Sequence, residues 1–333
     1  MGKTDSSLAV RDGAVGAPAT GRRRQHEVRR WLVEYPRGVP LALFVLIMAI
    51  TALSIYSIER GETDRRIAQL RAEAQTLASA IERRGDAASA YLQAGAVLFE
   101  TRSDISSETF GEYVDSLRLK TDYFGAEGIG WAEAVRAGDL EAFEVEMSIA
   151  TGAPFRVSPR PGLATSQIVP VTFLYPNTDR NRRALGFDMY SEPVRRAAID
   201  EAERSVRPTA SGRIVLVQEG RSESPGFLIY MPVYSDQPDG PGLRGFIYSP
   251  FNAANFLADA ISVPSDYHHA IRLYDGTPDP ERVLGELGDV NVSGLSVTHP
   301  VNFANRPMML ELEAGAHAGL AALSIATLVF GLL

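Results

Sequence analysis

VPLALFVLIMAITALSIYSI, at residues 39–58, is the stretch that decides the architecture of this chain. It holds 20 residues without a charge, and a helix needs about 20 apolar residues to cross a membrane. The alternative is a cleaved signal peptide. However, the run exceeds the usual apolar region of about 7–15 residues, and no A-x-A site precedes Glu59. Residues 39–58 are therefore predicted to form an uncleaved transmembrane helix.

The charges on either side of this helix predict its orientation. Residues 1–38 carry eight basic and four acidic side chains, so the positive-inside rule places this tail in the cytoplasm. Residues 59–315 are then extracytoplasmic, outside a bacterial-type inner membrane. Beyond the tail the chain has 25 basic and 37 acidic residues, a net charge of −12, which excludes nucleic acid and anionic lipid as expected partners of this part.

A second apolar run, at residues 318–333, has 16 residues without a charge. It predicts a second transmembrane helix at 316–333, cut within its length, so that a multi-pass protein would continue into an effector. The alternative is a C-terminal hairpin or tail that lies in the membrane interface. The chain has no cysteine, so it has no disulfide, no thiolate metal site and no cysteine nucleophile.

A helical stalk is predicted at residues 59–121, directly after the first apolar run. Its apolar residues recur every three or four positions, as in a heptad: Ile67, Leu70, Ala74, Leu77 and Ile81. This seam predicts a two-helix coiled coil and hence a homodimer, and the alternative is an amphipathic helix packed on its own domain. The Arg84-Gly85 pair predicts a break before further helices at 86–99 and 107–120.

From residue 128 onward the pattern changes to short runs rich in β-branched and aromatic residues. They predict strands at 128–135, 168–175, 214–218, 226–234, 245–249, 270–274, 295–303 and 308–313. A helix at 192–205 lies among them, with Ser191 as its cap and Pro193 in its first turn. The expected fold class is α+β, with a membrane-distal module at 122–250 and a membrane-proximal module at 251–315.

The common catalytic and metal-binding motifs are missing from the sequence. It has no phosphate-binding glycine motif, no H-E-x-x-H and no nucleophile elbow. His268 and His269 follow Asp266, but adjacent residues of a strand point to opposite faces. The acidic loop at 275–281 lacks the ligand spacing of a calcium loop. We therefore expect no catalytic residue, no metal and no cofactor in this chain.

Asp188 is the most informative single residue, because it separates the apolar stretch 184–187 from the helix at 192–205. Its carboxylate could satisfy backbone donors as a cap, or it could accept hydrogen bonds from a ligand. The strand at 226–234 could wall a pocket beside it, or simply pack in the core. Its two faces carry Phe227, Ile229, Met231 and Val233 on one side, and Leu228, Tyr230 and Pro232 on the other.

The order and spacing of five short segments between the two apolar runs resemble the CHASE family of extracytoplasmic sensory domains. The resemblance covers roughly residues 90 to 262. It rests on Ile129-Gly130-Trp131 with Val135, Leu185-Gly186-Phe187-Asp188-Met189 before an arginine-bearing helix, Ser211-Gly212 before Val215-Leu216, residues 226–234, and Leu243-Arg244-Gly245-Phe246.

The resemblance implies a fold and a ligand site. Members of this family have a long membrane-proximal helix that dimerises, followed by a distal and a proximal PAS-like module. In members that bind cytokinin, an aspartate and a backbone group on the next strand hold the adenine, and these positions fall on Asp188 and Leu216. With Phe187, Phe227 and Tyr230 they form the predicted ligand-binding set. The chain departs from the pattern at Phe187, at 219–224 and at 236–241, so an adenine-type ligand is one possibility among small organic molecules.

Two functions from different classes follow. The first is a sensor that relays small-molecule binding to a cytoplasmic histidine kinase or nucleotide cyclase, such as a diguanylate cyclase, outside this chain. The second is a membrane-tethered extracytoplasmic binding or interaction module without catalytic output. An extracytoplasmic hydrolase ranks below both, because no acid–base pair or metal set is found in the sequence.

Overall fold

The computed structural model describes residues 38–102, 106–117, 125–162, 165–220, 224–235, 242–261, 269–288, 294–315 and 322–332. The predicted cytoplasmic tail before Gly38, the loop at 236–241 and His268 lie outside these ranges. Contacts divide the chain into two compact units: Met1–Thr63 with Gly319–Leu333, and Asp64–Ala318.

The first unit contains the apolar part of the longest helix, α1 (Gly38–Glu100). Residues 39–58 are helical throughout, and most of their side chains are exposed. Within the described ranges, α1 alone is long and apolar enough to cross a membrane. The helix at Ala322–Leu332 has 11 residues, so the second transmembrane helix stays a prediction.

The part of α1 within the second unit packs against the core of that unit. Its buried residues are Leu70, Ala74, Ala78, Ile81, Gly85, Ala88, Leu92, Gly95, Ala96 and Phe99, and Ile67 and Leu77 pack on the same core. The predicted heptad seam therefore faces its own domain, as in the second of the two interpretations. A dimer through the helix would have to use the opposite, exposed face.

The predicted break at Arg84-Gly85 is wrong, because α1 continues through it without interruption. Glycine in a helix interior costs about 1 kcal/mol relative to alanine, and here packing accounts for it. A Cβ atom on Gly85 would lie 2.6 Å from ring atoms of Phe303. The glycine lets an aromatic ring lie directly on the helix backbone.

Short helices and three antiparallel sheets of six, four and two strands complete the described part of the second unit. The helices are α2 (Ser107–Ser116), α3 (Leu140–Thr151), α4 (Asp179–Arg182), α5 (Pro193–Ser205) and α6 (Ala253–Ala260). The strands are β1 (Ile129–Glu133), β2 (Val135–Arg136), β3 (Gln167–Ile168), β4 (Val171–Tyr175), β5 (Thr209–Ala210), β6 (Ile214–Val215), β7 (Pro225–Ser235), β8 (Gly242–Asn252), β9 (His269–Tyr274), β10 (Val283–Leu287), β11 (Ser296–Phe303) and β12 (Arg306–Ala314).

The larger sheet has six strands in the order β4-β1-β8-β7-β5, and β6 also pairs with β7. The smaller sheet has the order β10-β9-β12-β11, and β2 pairs with β3 separately. The mixed helix-and-sheet class and the long N-terminal helix are confirmed. Several details differ from the sequence prediction. β6 ends at Val215 and a 3-10 turn follows it, and the elements α3, α4, β5 and β10 were not predicted.

The six-stranded sheet separates two apolar clusters, because successive residues of a strand point to opposite faces. Phe227, Ile229 and Val233 of β7 belong to the cluster that includes the buried face of α1. Leu228 and Tyr230 belong to the other cluster, which includes residues of α5. The predicted alternation along this strand is confirmed, and each face has a different covering helix.

Candidate functional site

A small cavity lies on the α5 side of the six-stranded sheet. Its volume is about 20 Å³, which is room for about one water molecule. Its walls come from β4, the turn before α5, α5 itself, the turn after β6, β7 and β8. The lining residues are Val171, Ala184, Phe187, Met189, Arg195, Leu216, Val217, Gln218, Leu228 and Tyr248.

Asp188 caps the 3-10 turn that leads to α5. One carboxylate oxygen accepts hydrogen bonds from the backbone N–H groups of Val169, at 2.8 Å, and Tyr190, at 3.0 Å. Asp188 is 2% exposed. Burial raises its pKa, although the two N–H groups and the charge of Arg196 act in the opposite direction. The carboxylate does not line the cavity, so the structure displays the capping role, and a ligand contact by Asp188 stays a prediction.

The residues on either side of Asp188 do line the cavity. Phe187 lies beneath the guanidinium of Arg195, whose Cζ is 4.7 Å from the ring centroid, a cation–π arrangement. Met189 accepts a hydrogen bond at its sulfur from the Tyr230 hydroxyl at 3.4 Å. The LGFDM segment therefore supplies two walls of the cavity while its aspartate holds the turn.

The helix cap after this turn differs from the prediction. Glu192, not Ser191, is the N-cap of α5, and its carboxylate accepts from the N–H groups of Val194 and Arg195 at 3.0 and 2.9 Å. The hydroxyl of Ser191 donates to the backbone carbonyl of Asp188 at 2.6 Å. This cap fixes the first turn of the helix and thereby the position of Arg195.

Leu216 lines the cavity and precedes the 3-10 turn Val217–Glu219. The backbone carbonyl of Gln218 accepts from the guanidinium of Arg183 at 3.3 Å. Of the lining residues, Phe187 and Val217 are half-buried and the others are buried. These two side chains are therefore the part of the cavity lining that is partly exposed to solvent.

The other predicted residues divide between the two faces of the sheet. Tyr230 is fully buried beside Tyr248, with ring centroids 6.3 Å apart, but it does not line the cavity. Phe227 lies on the opposite face, where its ring is 5.1 to 5.3 Å from those of Phe251, Phe256 and Phe303. Of the predicted set, the structure brings Phe187 and Leu216 together at the cavity.

Three side chains that line the cavity each carry a buried polar atom without a hydrogen-bond partner. These atoms are Nε of Arg195, Nε2 of Gln218 and the hydroxyl of Tyr248. None of these three residues was predicted from the sequence. One signal was available: Arg195 shares its helix face with the buried residues Ala198, Ile199 and Ala202, and a charged residue at such a core position is uncommon.

The described ranges contain no group of three or more His, Asp or Glu side chains that could hold a metal ion. Asp279, from the acidic loop, caps the 3-10 turn Pro280–Arg282 by accepting from the N–H of Glu281 at 2.9 Å. The acidic loop thus has a local structural role.

The sequence profile of the CHASE domain matches residues 103–284, more than half of the chain. The chain belongs to the CHASE family. Family membership confirms the resemblance and establishes this protein as an extracytoplasmic ligand-sensing domain of a membrane protein. No curated protein matches the sequence.

Several solved structures of ligand-binding domains are similar to this chain. An extracellular ligand binding receptor from Desulfohalobium retbaense is 14% identical over 74% of this chain and 40% of that chain, with a TM-score of 0.48. The Pseudomonas aeruginosa amino acid chemoreceptor PctB, in complex with L-Gln, is 12% identical over 80% and 98%, with a TM-score of 0.47. The P. aeruginosa chemoreceptor PctC, in complex with GABA, is 12% identical over 74% and 98%, with a TM-score of 0.43.

Proposed function

We propose that this CHASE domain binds a small organic molecule in the cavity between α5 and the six-stranded sheet. The observation that carries the proposal is the cavity itself, because three of its lining side chains have polar atoms that no protein group satisfies. Buried polar atoms are normally hydrogen-bonded, and an exception at a cavity points to a ligand or to bound water. Phe187 and Leu216, chosen from the family motif, line the same cavity.

The sheet provides a short route from the cavity to the stalk helix. Tyr248 of β8 lines the cavity, and the preceding residue, Ile247, belongs to the cluster on the opposite face. A Cβ atom on Gly95 of α1 would lie 2.8 Å from the Ile247 side chain. A ligand that moves β8 against α5 therefore shifts a strand whose other face rests on α1.

The rest of the receptor is proposed from the family and the sequence. Residues 316–333 form a second transmembrane helix, the two sheets are PAS-like modules, and the output is a cytoplasmic histidine kinase or diguanylate cyclase. The receptor is a homodimer, and the exposed face of α1 is the contact, because its heptad face is occupied. A shift of about 1–2 Å along the helices is sufficient for such a relay.

The test is the thermal unfolding of the full chain in detergent micelles against a panel of small metabolites. The panel includes adenine derivatives, because the family resemblance implies them, and amino acids. A ligand at about 100 times its Kd adds about 2.7 kcal/mol to the stability of the folded state, which raises the Tm by a few degrees.

Two matched variants locate the site. Ala184→Val adds two carbon atoms to the cavity wall, whereas Ala132→Val adds the same atoms to the same apolar cluster away from the cavity. We expect the ligand-dependent rise in Tm to disappear in the first variant and persist in the second. A ligand that stabilises both variants equally binds elsewhere, and a panel without any stabilising compound contradicts the proposal.

A further inference from the structure

The proposed function leaves open the chemical class of the ligand. The unsatisfied polar atoms of the cavity restrict the classes that fit. We infer that the ligand carries a carboxylate group, received by Nε of Arg195, Nε2 of Gln218 and the hydroxyl of Tyr248. This inference rests on the proposed function, since it concerns the same cavity. Its basis is the charge of Arg195 and the donor character of all three groups.

Arg195 is a buried cation without a charged partner in the described part of the chain. It is 4% exposed, one terminal nitrogen donates to the backbone carbonyl of Val215 at 2.8 Å, and the guanidinium lies over Phe187. The nearby acid Glu192 is committed to the backbone at the start of α5. Burial of an unpaired charge is unfavourable, and an anion in the cavity would offset it.

The two neutral groups are suited to the same anion. The amide nitrogen of Gln218 is a donor only, and the hydroxyl of Tyr248 is neutral, because burial raises its pKa well above the usual value. Together with the N–H of Arg195, they give three unused donors around one cavity. A carboxylate has two oxygens and about four acceptor positions, and it balances the charge, whereas a neutral amide or an ammonium group does not.

The size and the exit of the cavity agree with a small planar head group. A volume of about 20 Å³ holds about one water-sized group, so the cavity receives one carboxylate oxygen as it stands. It must widen a little for the rest of the carboxylate, and by more for a bulkier tetrahedral anion. The remainder of the ligand then leaves between Phe187 and Val217, the two half-buried lining residues. Both are apolar, so the body of the ligand next to the carboxylate is expected to be apolar.

The experiment titrates the full chain in detergent micelles with acetate, propionate, benzoate and phenylacetate, each compared with its neutral amide. Inorganic phosphate is a further probe, and binding is followed by the rise in Tm and by calorimetry. We expect at least one carboxylate to bind saturably at millimolar concentration or below, and its amide to bind about tenfold more weakly or worse. Phosphate is expected not to compete.

Matched variants assign the binding to the three donors. Arg195→Met is compared with Arg196→Met. In the unsubstituted protein the Arg196 guanidinium lies on the helix surface and donates to the backbone carbonyls of Tyr190 and Ser191. Tyr248→Phe is compared with Tyr234→Phe, because the Tyr234 hydroxyl donates to the backbone carbonyl of Glu203 away from the cavity. Gln218→Met completes the set. The first member of each pair is expected to weaken carboxylate binding about tenfold, and the second to leave it within about twofold. If Arg195→Met does not fold, Tyr248→Phe and Gln218→Met decide the outcome.

Three results would overturn the inference. They are equal binding of carboxylates and amides, displacement of the carboxylate by phosphate, and the absence of carboxylate binding at millimolar concentration. Failure of the proposed function is distinguishable from these. If a neutral metabolite binds and Ala184→Val abolishes its binding, the proposed sensor function stands and only the carboxylate inference is wrong. If no ligand binds at all, both proposals are wrong.

Discussion

The carboxylates of Asp188 and Glu144 are both 2% exposed, yet the protein holds them in different ways. Asp188 accepts hydrogen bonds from two backbone N–H groups. Glu144 accepts one from the N–H of Val157 and is paired with the guanidinium groups of Arg156 and Arg160 at 3.0 Å. Burial raises the pKa of both groups, but the partners of Glu144 lower its pKa below the usual value overall, whereas the pKa of Asp188 stays raised.

The variant Asp188→Asn tests the capping hydrogen bonds of this side chain apart from its titratable charge. Because the folded-state pKa of Asp188 is raised above 3.8, its stabilising contribution is complete below about pH 3.8 and is lost as pH rises through the folded-state pKa. Asparagine keeps the cap and does not titrate. We expect the stability of wild type relative to Asp188→Asn to fall with rising pH, measured by denaturant unfolding. Asp188→Ala, without a cap, should lose about 1–2 kcal/mol, and a pH-independent difference for Asp188→Asn would refute the argument.

Glu144→Gln should show the opposite pH dependence. The contribution of Glu144 is present above its unfolded pKa of about 4.5 and is lost as pH falls through the lowered folded-state pKa. At neutral pH the substitution should cost about 1–2 kcal/mol, since both arginine partners are largely exposed and solvent screens them. Denaturant unfolding at a series of pH values from acid to neutral measures the difference in unfolding free energy between wild type and Glu144→Gln. A wild-type advantage that grows toward acid pH would contradict this assignment.

The glycines of α1 show that the same residue has different roles within one element. A Cβ atom on Gly61 would meet nothing within 4 Å, whereas one on Gly85 would lie 2.6 Å from the Phe303 ring. Gly61→Ala should therefore stabilise the helix by up to about 1 kcal/mol. Gly85→Ala should instead destabilise the protein by about 1–3 kcal/mol through overpacking. Thermal unfolding of the two variants side by side measures the difference, and equal stabilities would show that Phe303 moves aside freely.

The same helix shows which properties of an element a sequence can predict. Spacing alone identified Leu70, Ala74 and Ile81 as one apolar face, and they are buried together. Spacing did not identify the surface that covers this face, because a domain core and a second helix offer equivalent apolar surroundings. The break at Gly85 was wrong for a related reason: its close neighbour, Phe303, is more than two hundred residues away in sequence.

The site was predictable where its residues belong to one segment. Phe187 and Leu216 lie in motifs that the sequence displays, and both reach the cavity. Arg195, Gln218 and Tyr248 come from a helix, a turn and a strand, and only Arg195, a charged residue on a buried helix face, stands out within its own segment. Their convergence is a property of the tertiary structure, which residue spacing does not encode.

At the scale of the whole molecule, orientation in the membrane can be tested by labelling, because the chain has no cysteine of its own. Ala142→Cys introduces a thiol at an exposed position of α3, and Ser6→Cys introduces one into the N-terminal tail. A membrane-impermeant maleimide should label the first in intact cells and the second only after lysis. The reverse pattern would place the sensor domain in the cytoplasm.

The proposed dimer can be tested with the same approach. Ala72 lies on the exposed face of α1, opposite the buried seam. Ala72→Cys should form a disulfide-linked dimer in membranes under mild oxidation, whereas Ala142→Cys, also exposed, should not. Gel electrophoresis without reductant detects the product. Equal cross-linking of both variants would indicate random collision, and the absence of cross-linking at Ala72 would argue against this helix face.

The alternation of β8 has a consequence for the evolution of such receptors. Tyr248 lines the cavity and Ile247 belongs to the cluster around α1, so the proposed function assigns recognition and relay to alternate positions of one strand. Substitutions on the cavity face of β8 can change ligand preference while the face toward α1 stays intact. Substitutions on the face toward α1 can change the output while ligand preference is retained. Lineages of this domain can therefore acquire new signals without rebuilding their connection to the membrane.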